Sequence, residues 1–339
     1  MSYNKFSKIS KEIKSKRDDI LFIPHLYEIR WARTISTFMK DYFYCPIPNL
    51  QFYPYMQCRS ETLKMIANIL PQIRNNTKID KVFFFNLGDD YNIELIRAGG
   101  IQKVYGILHS SSFMEHEFRT DNREQLHEKS VVESTDMIFV PSSTIITKDI
   151  YIKNRFEAIG LPILEERCSV DIIKNKKNFI IFNHRLNLNK NPEFLLSLPK
   201  KLKDRTIISI PSGHTTYIGQ VKKEFTRFYL QPTEQEYSEF LLQSSYGFVA
   251  SFKDCFPTSV IESIMNGILY FCLDNDKIGI KSYLPSECIF KNIDEFMEKI
   301  YYYDSHSEER VDLVIRTQNI FLDFFEKNIW IQNLINKIK

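Results

Sequence analysis

Short runs that are apolar from end to end, each closed by turn residues, alternate along this chain with longer mixed stretches. In the first half "ILFIPH" (20–25), "KVFFFNLGDD" (81–90), "KVYGILHSS" (103–111) and "DMIFVPSS" (136–143) have strand length. Between them "IELIRAGG" predicts a helix stopped by Gly99 and Gly100, and residues 115–134 have helical composition. A charged segment, "ILEERCSVDIIKNKKN" (163–178), reads as the connection out of a first domain. The pattern then restarts with "FIIFNHR" (179–185), "RTIISIPSG" (205–213), "TRFYL" (226–230), "YGFVASF" (246–252) and "ILYFCLD" (268–274). "NPEFLLSLPKKL" predicts a helix with Pro192 in its first turn, and Thr233 and Glu236 in "PTEQEYSEFLLQSS" predict a capping box. The run from Ser307 to Lys339 is helical and amphipathic.

Strands apolar on both faces, alternating with helices, belong in parallel sheets covered on both sides. Two successive units of this kind predict an α/β protein made of two doubly wound domains facing one another. The expected boundaries are 1–168 for the first and 169–319 for the second. Ligands of such sheets sit beyond the carboxyl ends of the strands. The loops to watch are therefore Pro24–His25, Asn86–Asp90, His109–Ser112, Pro141–Ser143, Asn183–Lys190, Pro211–His214 and "KDCFPTSVIESIMNG" (253–267).

Composition narrows the class. With 339 residues, 43% hydrophobic and 26% charged, the chain is an ordinary globular one with length for two cores. The net charge of +3 neither demands nor excludes a polyanionic partner. Basic clusters at Lys5–Arg17, Lys174–Lys177 and Lys200–Arg205 read first as solvated helix faces and loops. The 6 cysteines show no CxxC pair and no histidine at metal-ligand spacing, which fits reduced thiols in a cytosolic protein. The polar, basic start is no signal peptide, and no apolar run approaches the ~18 residues needed to span a bilayer. The expectation is a soluble, cytoplasmic protein of a bacterial or virus-infected cell. There is no Walker loop, no GxGxxG after a strand and no GxSxG.

The chemistry concentrates in the stretch 253–267, where a strand's C-terminal loop feeds a helix N-terminus closed at its far end by Gly267. Unpaired N–H groups and the positive dipole end there favour a phosphate or carboxylate. Thr258 and Ser259 are candidate N-caps, and Glu262 near the helix start is electrostatically at home. Asp254 precedes the turn and has no helix to serve. This spacing, Asp254-x7-Glu262 with Phe256-Pro257 between, resembles the signature of the retaining, nucleotide-sugar-dependent glycosyltransferases of GT-B fold. That resemblance implies two facing Rossmann-like domains with parallel sheets, and a C-terminal helix, about 320–339, crossing back to the first domain.

It also implies roles. Asp254 contacts the donor sugar, although the family usually carries Glu there, one methylene longer. Glu262 binds the ribose, and the backbone of Phe256, Pro257, Thr258, Ser259 and Val260 approaches the diphosphate. Arg185 and Lys190, on the loop after the first strand of the second domain, are similar to the family's diphosphate-gripping pair, which stabilises the departing nucleotide without a metal being strictly required. His109 corresponds to a histidine facing the donor sugar, and Ser212 and Gly213 to a loop near the nucleotide base. A UDP-sugar is the expected donor, and the transfer is front-face, with the departing phosphate taking the acceptor's proton. Asp274-Asn275-Asp276 could suggest a metal motif, but its place after Glu262 does not suit the fold that uses one, so no metal site is assigned.

The acceptor rests on less. "NHR" followed by "KNP" (183–192) looks like the form found in glycosyltransferases that modify nucleobases in tRNA or viral DNA. The basic leader and the aromatic stretch "YFYCPIPNLQFYPY" (42–55) agree with bases being reached by flipping and stacking. The bulk of His25, Tyr27, Arg30, Trp31 and Arg33, where the family often has a glycine pair, implies an unusual acceptor. A hydroxymethylated base in DNA is the leading candidate, a cell-envelope or polysaccharide acceptor the alternative. A non-catalytic nucleic-acid-binding relative and a sugar-nucleotide epimerase are the readings from other classes.

Overall fold

The structure is a computed structural model that describes residues 16–27, 30–47, 50–75, 78–87, 93–113, 122–145 and 155–338. Most of the basic leader, Gly88–Asp90, the start of the 115–134 stretch and the side chains of Arg30 and Trp31 lie outside the described residues. The chain divides into two compact units. One runs to Leu164 and takes in Lys327 onward, and the other spans Glu165–Glu326.

The first unit holds a six-stranded sheet of β1 (Arg17–Ile23), β2 (Phe43–Tyr44), β3 (Lys81–Phe84), β4 (Lys103–Ile107), β5 (Met137–Val140) and β6 (Phe156–Ala158), in the order β2-β1-β3-β4-β5-β6. Every pairing in it is parallel. The rings of Phe22 in β1, Phe43 in β2 and Phe83 in β3 cluster, with Phe22–Phe43 centroids 6.2 Å and Phe43–Phe83 centroids 5.7 Å apart, and all are fully buried. Helix Lys327–Lys337 belongs to this unit: Trp330 is buried and its indole N–H donates to the Gly160 carbonyl at 3.4 Å.

The second unit repeats the plan with β7 (Lys177–Phe182), β8 (Thr206–Ile210), β9 (Arg227–Leu230), β10 (Ser244–Val249), β11 (Leu269–Leu273) and β12 (Ile289–Phe290), ordered β12-β11-β10-β7-β8-β9. It too is parallel throughout. The sequence order reverses between β7 and β10, so the crevice for a ligand opens where the loops after these two strands part. The local signals act as read: Asn191 caps the helix that Pro192 begins, and Thr233 with Glu236 closes a capping box.

Several expectations need correction. The segment 163–178 is not only a connection, because it folds helix Val170–Lys174, capped by Ser169, and begins β7. The helical run 307–339 breaks at Glu326, whose ψ of 135° is extended, so Ser307–Phe325 ends one helix and Lys327 starts another. Lys176 is no solvated cation: it is buried and donates to the Leu241 and Leu242 carbonyls at 2.6 and 3.3 Å. Burial pushes its pKa down to about 8. The aromatic stretch 42–55 is partly core, since Tyr42 and Phe43 are buried and the Tyr42 hydroxyl faces Asn328 at 3.2 Å.

Candidate functional site

Asp254 stands on the loop after β10 and Lys190 on the loop after β7, one on each side of the switch point. Both are buried, and the Lys190 ammonium donates to Asp254 Oδ2 in a direct ion pair. The Ser251 hydroxyl adds a donor to the same oxygen at 3.3 Å. The loop cannot drift, because Asp254 N–H bonds to the Lys277 carbonyl at 3.0 Å and its own carbonyl accepts from Gly279 at 2.8 Å. Asn275 Nδ2 clamps the Ser251 and Phe252 carbonyls at 3.0 and 2.9 Å, and Phe252 N–H reaches the Asn189 carbonyl at 2.9 Å. Asp274 and Asp276, the Asp-x-Asp pair, both hold Lys281, at 2.5 and 2.6 Å. Among the described residues no cluster of three metal-ligating side chains occurs.

The turn and helix after Asp254 depart from expectation at one point. Pro257, not Thr258 or Ser259, occupies the N-cap of helix Thr258–Met265, and it has no side-chain donor or acceptor to close the helix. Phe256 and Val260 are buried, so only their backbone can meet a ligand, and Val260 N–H already bonds to the Pro257 carbonyl at 3.1 Å. Phe256 anchors the turn by edge packing on Phe325, 5.0 Å between centroids. Gly267 ends the helix at φ +80°, a left-handed conformation that suits glycine.

Ser259 faces inward instead of capping, into a chain of polar side chains. Its hydroxyl lies 3.2 Å from His184 Nδ1, and His184 Nε2 lies 2.8 Å from the Tyr270 hydroxyl. Tyr270 donates to Asn183 Oδ1 at 2.9 Å, and Asn183 Nδ2 reaches the Tyr237 hydroxyl at 3.0 Å and Ser263 Oγ at 2.9 Å. Tyr237 donates to Glu262 Oε2 at 2.9 Å. His184 is buried, and desolvation, helped by the Lys190 charge, pushes its pKa down to about 3. Burial likewise raises the Tyr270 phenol.

Arg185 is half-buried between buried His184 and Leu186. The loop after β8 zips onto this one: Leu186 N–H bonds to the Ser212 carbonyl at 3.1 Å, His214 N–H to the Leu186 carbonyl at 3.0 Å, and Gly213 pairs with Leu186. Asp254, Lys190, Arg185, Glu262, Ser259, Ser212 and Gly213 thus stand at the carboxyl ends of neighbouring strands of one sheet. Asn183, His184, Tyr237 and Tyr270 join them. Asn183 and His184 are visible in the "NHR" tripeptide, while no local pattern marks Tyr237 or Tyr270.

His109 belongs to the first unit, just past β4. Its Nε2 lies 2.8 Å from the Phe85 carbonyl and its ring 4.9 Å from the Phe85 ring. His25, after β1, also packs on Phe85, at 6.4 Å, and on Tyr27 at 5.7 Å. The loop after β4 is held by buried Glu128, which takes the Ser111 hydroxyl at 2.6 Å and the Ser112 N–H at 2.5 Å.

No protein-family model matches the chain, and no curated protein does. Solved structures do. The chain is similar to a sucrose-phosphate synthase from Thermosynechococcus elongatus, with TM-score 0.67 and 11% identity, over 94% of this chain and 98% of that one. It is similar to HepE of Anabaena, solved with UDP and glucose, with TM-score 0.64 and 11% identity, over 95% and 99%. It is also similar to the lipopolysaccharide outer core galactosyltransferase WaaB, with TM-score 0.55 and 12% identity, over 94% and 97%. At these identities the likeness is one of fold: the chain has the GT-B architecture of two Rossmann-like domains. No helix among the described residues is long and apolar enough to cross a membrane.

Proposed function

We propose that the chain is a glycosyltransferase that moves a sugar from a nucleotide-sugar donor, a UDP-sugar first, to an acceptor hydroxyl with retention. The observation that carries this reading is the gathering of Arg185, Lys190, Asp254, Ser259 and Glu262 at the switch point of a GT-B second domain. The helix Thr258–Met265 presents an N-terminus that no side chain caps, which suits a diphosphate. Glu262 takes the ribose. Arg185 supplies the cation for the leaving phosphate, because Lys190 is engaged with Asp254. The Lys190–Asp254 pair then serves as one unit: the lysine holds the shortened acid where it meets the sugar hydroxyls. The departing phosphate takes the acceptor's proton, and His109 is the residue of the first unit assigned to the sugar.

The leading acceptor is a hydroxymethylated base in DNA, supported by the "NHR" and "KNP" form of residues 183–192. The burial of Tyr42 and Phe43 removes part of the aromatic support for it. A cell-envelope glycan is the second reading, favoured by the likeness to a lipopolysaccharide galactosyltransferase. Intact-mass analysis of hydroxymethylated and plain DNA, incubated with a panel of nucleotide sugars, separates them. A hexose or pentose mass on the modified DNA alone supports the first. Donor hydrolysis with unmodified DNA throughout turns the search to glycans. If no nucleotide sugar is turned over, and Arg185→Ala and Glu262→Ala match the wild type in every assay, the glycosyltransferase reading fails.

A further inference from the structure

The polar chain from Ser259 to Glu262 has a direction, and counting hydrogens gives it. The Ser259 carbonyl can only accept, and it faces the Asn183 amide nitrogen at 3.3 Å, which fixes which way that amide points. Asn183 Oδ1 is then an acceptor, and it takes the one hydroxyl hydrogen of Tyr270. His184 Nε2 must bring the hydrogen for its own contact with that phenol oxygen. Its Nδ1 is left as a lone pair for the Ser259 hydroxyl. At the other end Asn183 gives a hydrogen to the Tyr237 oxygen, so the Tyr237 hydrogen goes to Glu262. Each bond polarises the next, and all of them push toward the Glu262 carboxylate.

This matters because Glu262 is only half-buried and sits within the first two turns of its helix, where a glutamate has three rotatable bonds. A carboxylate that must meet two vicinal hydroxyls at once needs one oxygen tied down. Tyr237 reaches it from a different helix, Glu234–Gln243, and is itself oriented by buried Asn183.

We propose that Tyr237 is a positioning residue: it aims the Glu262 carboxylate at the 2′- and 3′-hydroxyls of a nucleoside diphosphate, and so makes the chain select ribose over 2′-deoxyribose. The proposal rests on the reading of Glu262 as the ribose-binding acid. The Ser259 hydroxyl does not replace Tyr237, since it is turned to His184.

The test is calorimetric binding of UDP, ADP and GDP, each against its 2′-deoxy form, to the full chain and to Tyr237→Phe and Glu262→Gln. The tightest-binding base is used for the comparison. The wild type is expected to prefer the ribonucleotide about tenfold, the size of one charge-assisted hydrogen bond. Tyr237→Phe should shrink that ratio to about twofold through weaker ribonucleotide binding, with the deoxynucleotide affinity unchanged. If Tyr237→Phe keeps the full ratio, or weakens both nucleotides equally, the positioning role is wrong while the Glu262 reading stands. If the wild type does not discriminate, or Glu262→Gln leaves discrimination intact, the Glu262 reading fails and takes this proposal with it.

Discussion

His184 is a histidine that folding keeps uncharged, and stability should report it. Its folded pKa is about 3, while an exposed histidine in the unfolded chain titrates near 6.5. Below 6.5 the unfolded state binds a proton that the folded state refuses, so stability falls as pH drops toward 3 and is level above 7. By this residue alone the chain should be about 2 kcal/mol less stable at pH 5 than at pH 7. Chemical denaturation at the two pH values measures it, and His184→Gln should reduce the difference by that amount. The buried Lys190–Asp254 pair makes a second prediction. Removing one partner strands the other charge, so Lys190→Met should cost about 3–5 kcal/mol, whereas Lys190→Met with Asp254→Asn should recover most of it. Equal losses in the single and double variants would mean the pair is not a coupled unit. Asp254, Glu262, Arg185 and Lys190 were legible because their spacing is local. Tyr237 and Tyr270 were not, because their partners are chosen by packing between elements that lie far apart in sequence.

Between strands, one glycine decides whether the polar relay exists. Gly247 of β10 is directly opposite Tyr270 of β11, and a Cβ built there would fall 2.4 Å from the Tyr270 ring. The missing side chain is what lets that ring lie across β10 and bring its hydroxyl to Asn183 and His184. Gly247→Ala should force the ring aside, destabilising the chain by about 1–3 kcal/mol. It should also erode ribose selection even though residue 247 touches no ligand. A melting curve together with the ribo/deoxy binding ratio checks both halves, and loss of stability with selection intact would uncouple Tyr270 from Glu262. Elements were legible where they were long. The nine runs read as strands are all strands, with ends shifted by a few residues. Among the described residues the three further strands, β2, β6 and β12, have 2, 3 and 2 residues and lie at sheet edges, too short for any period to register. Helix Val170–Lys174 was hidden by its charged surroundings, though the Ser169 cap was there to be seen.

At the scale of the whole chain, the two α/β halves were readable because the strand pattern restarts, but the route of the C-terminus was not a matter of pattern. The amphipathic run from Ser307 continues through Glu326 without a change of period, and only the packing of the segment beyond Glu326 separates the helices. Trp330, Ile331, Leu334 and Ile338 are all buried, and the segment holding them belongs to the first unit, while Phe321 and Phe325 belong to the second. The first unit therefore depends on a segment that follows the second unit in sequence. Trp330→Ala should cost that unit about 3–5 kcal/mol, a large share of a domain's stability. Both tryptophans of the chain, Trp31 and Trp330, belong to the first unit, so the tryptophan emission left in the variant comes from that unit. The expected result is a fluorescence transition moved to lower denaturant in Trp330→Ala. The circular-dichroism amplitude belonging to the second unit should unfold where it does in the wild type. If both signals move together by the same amount, the units unfold as one, and the last helix supports the whole chain and not its first half.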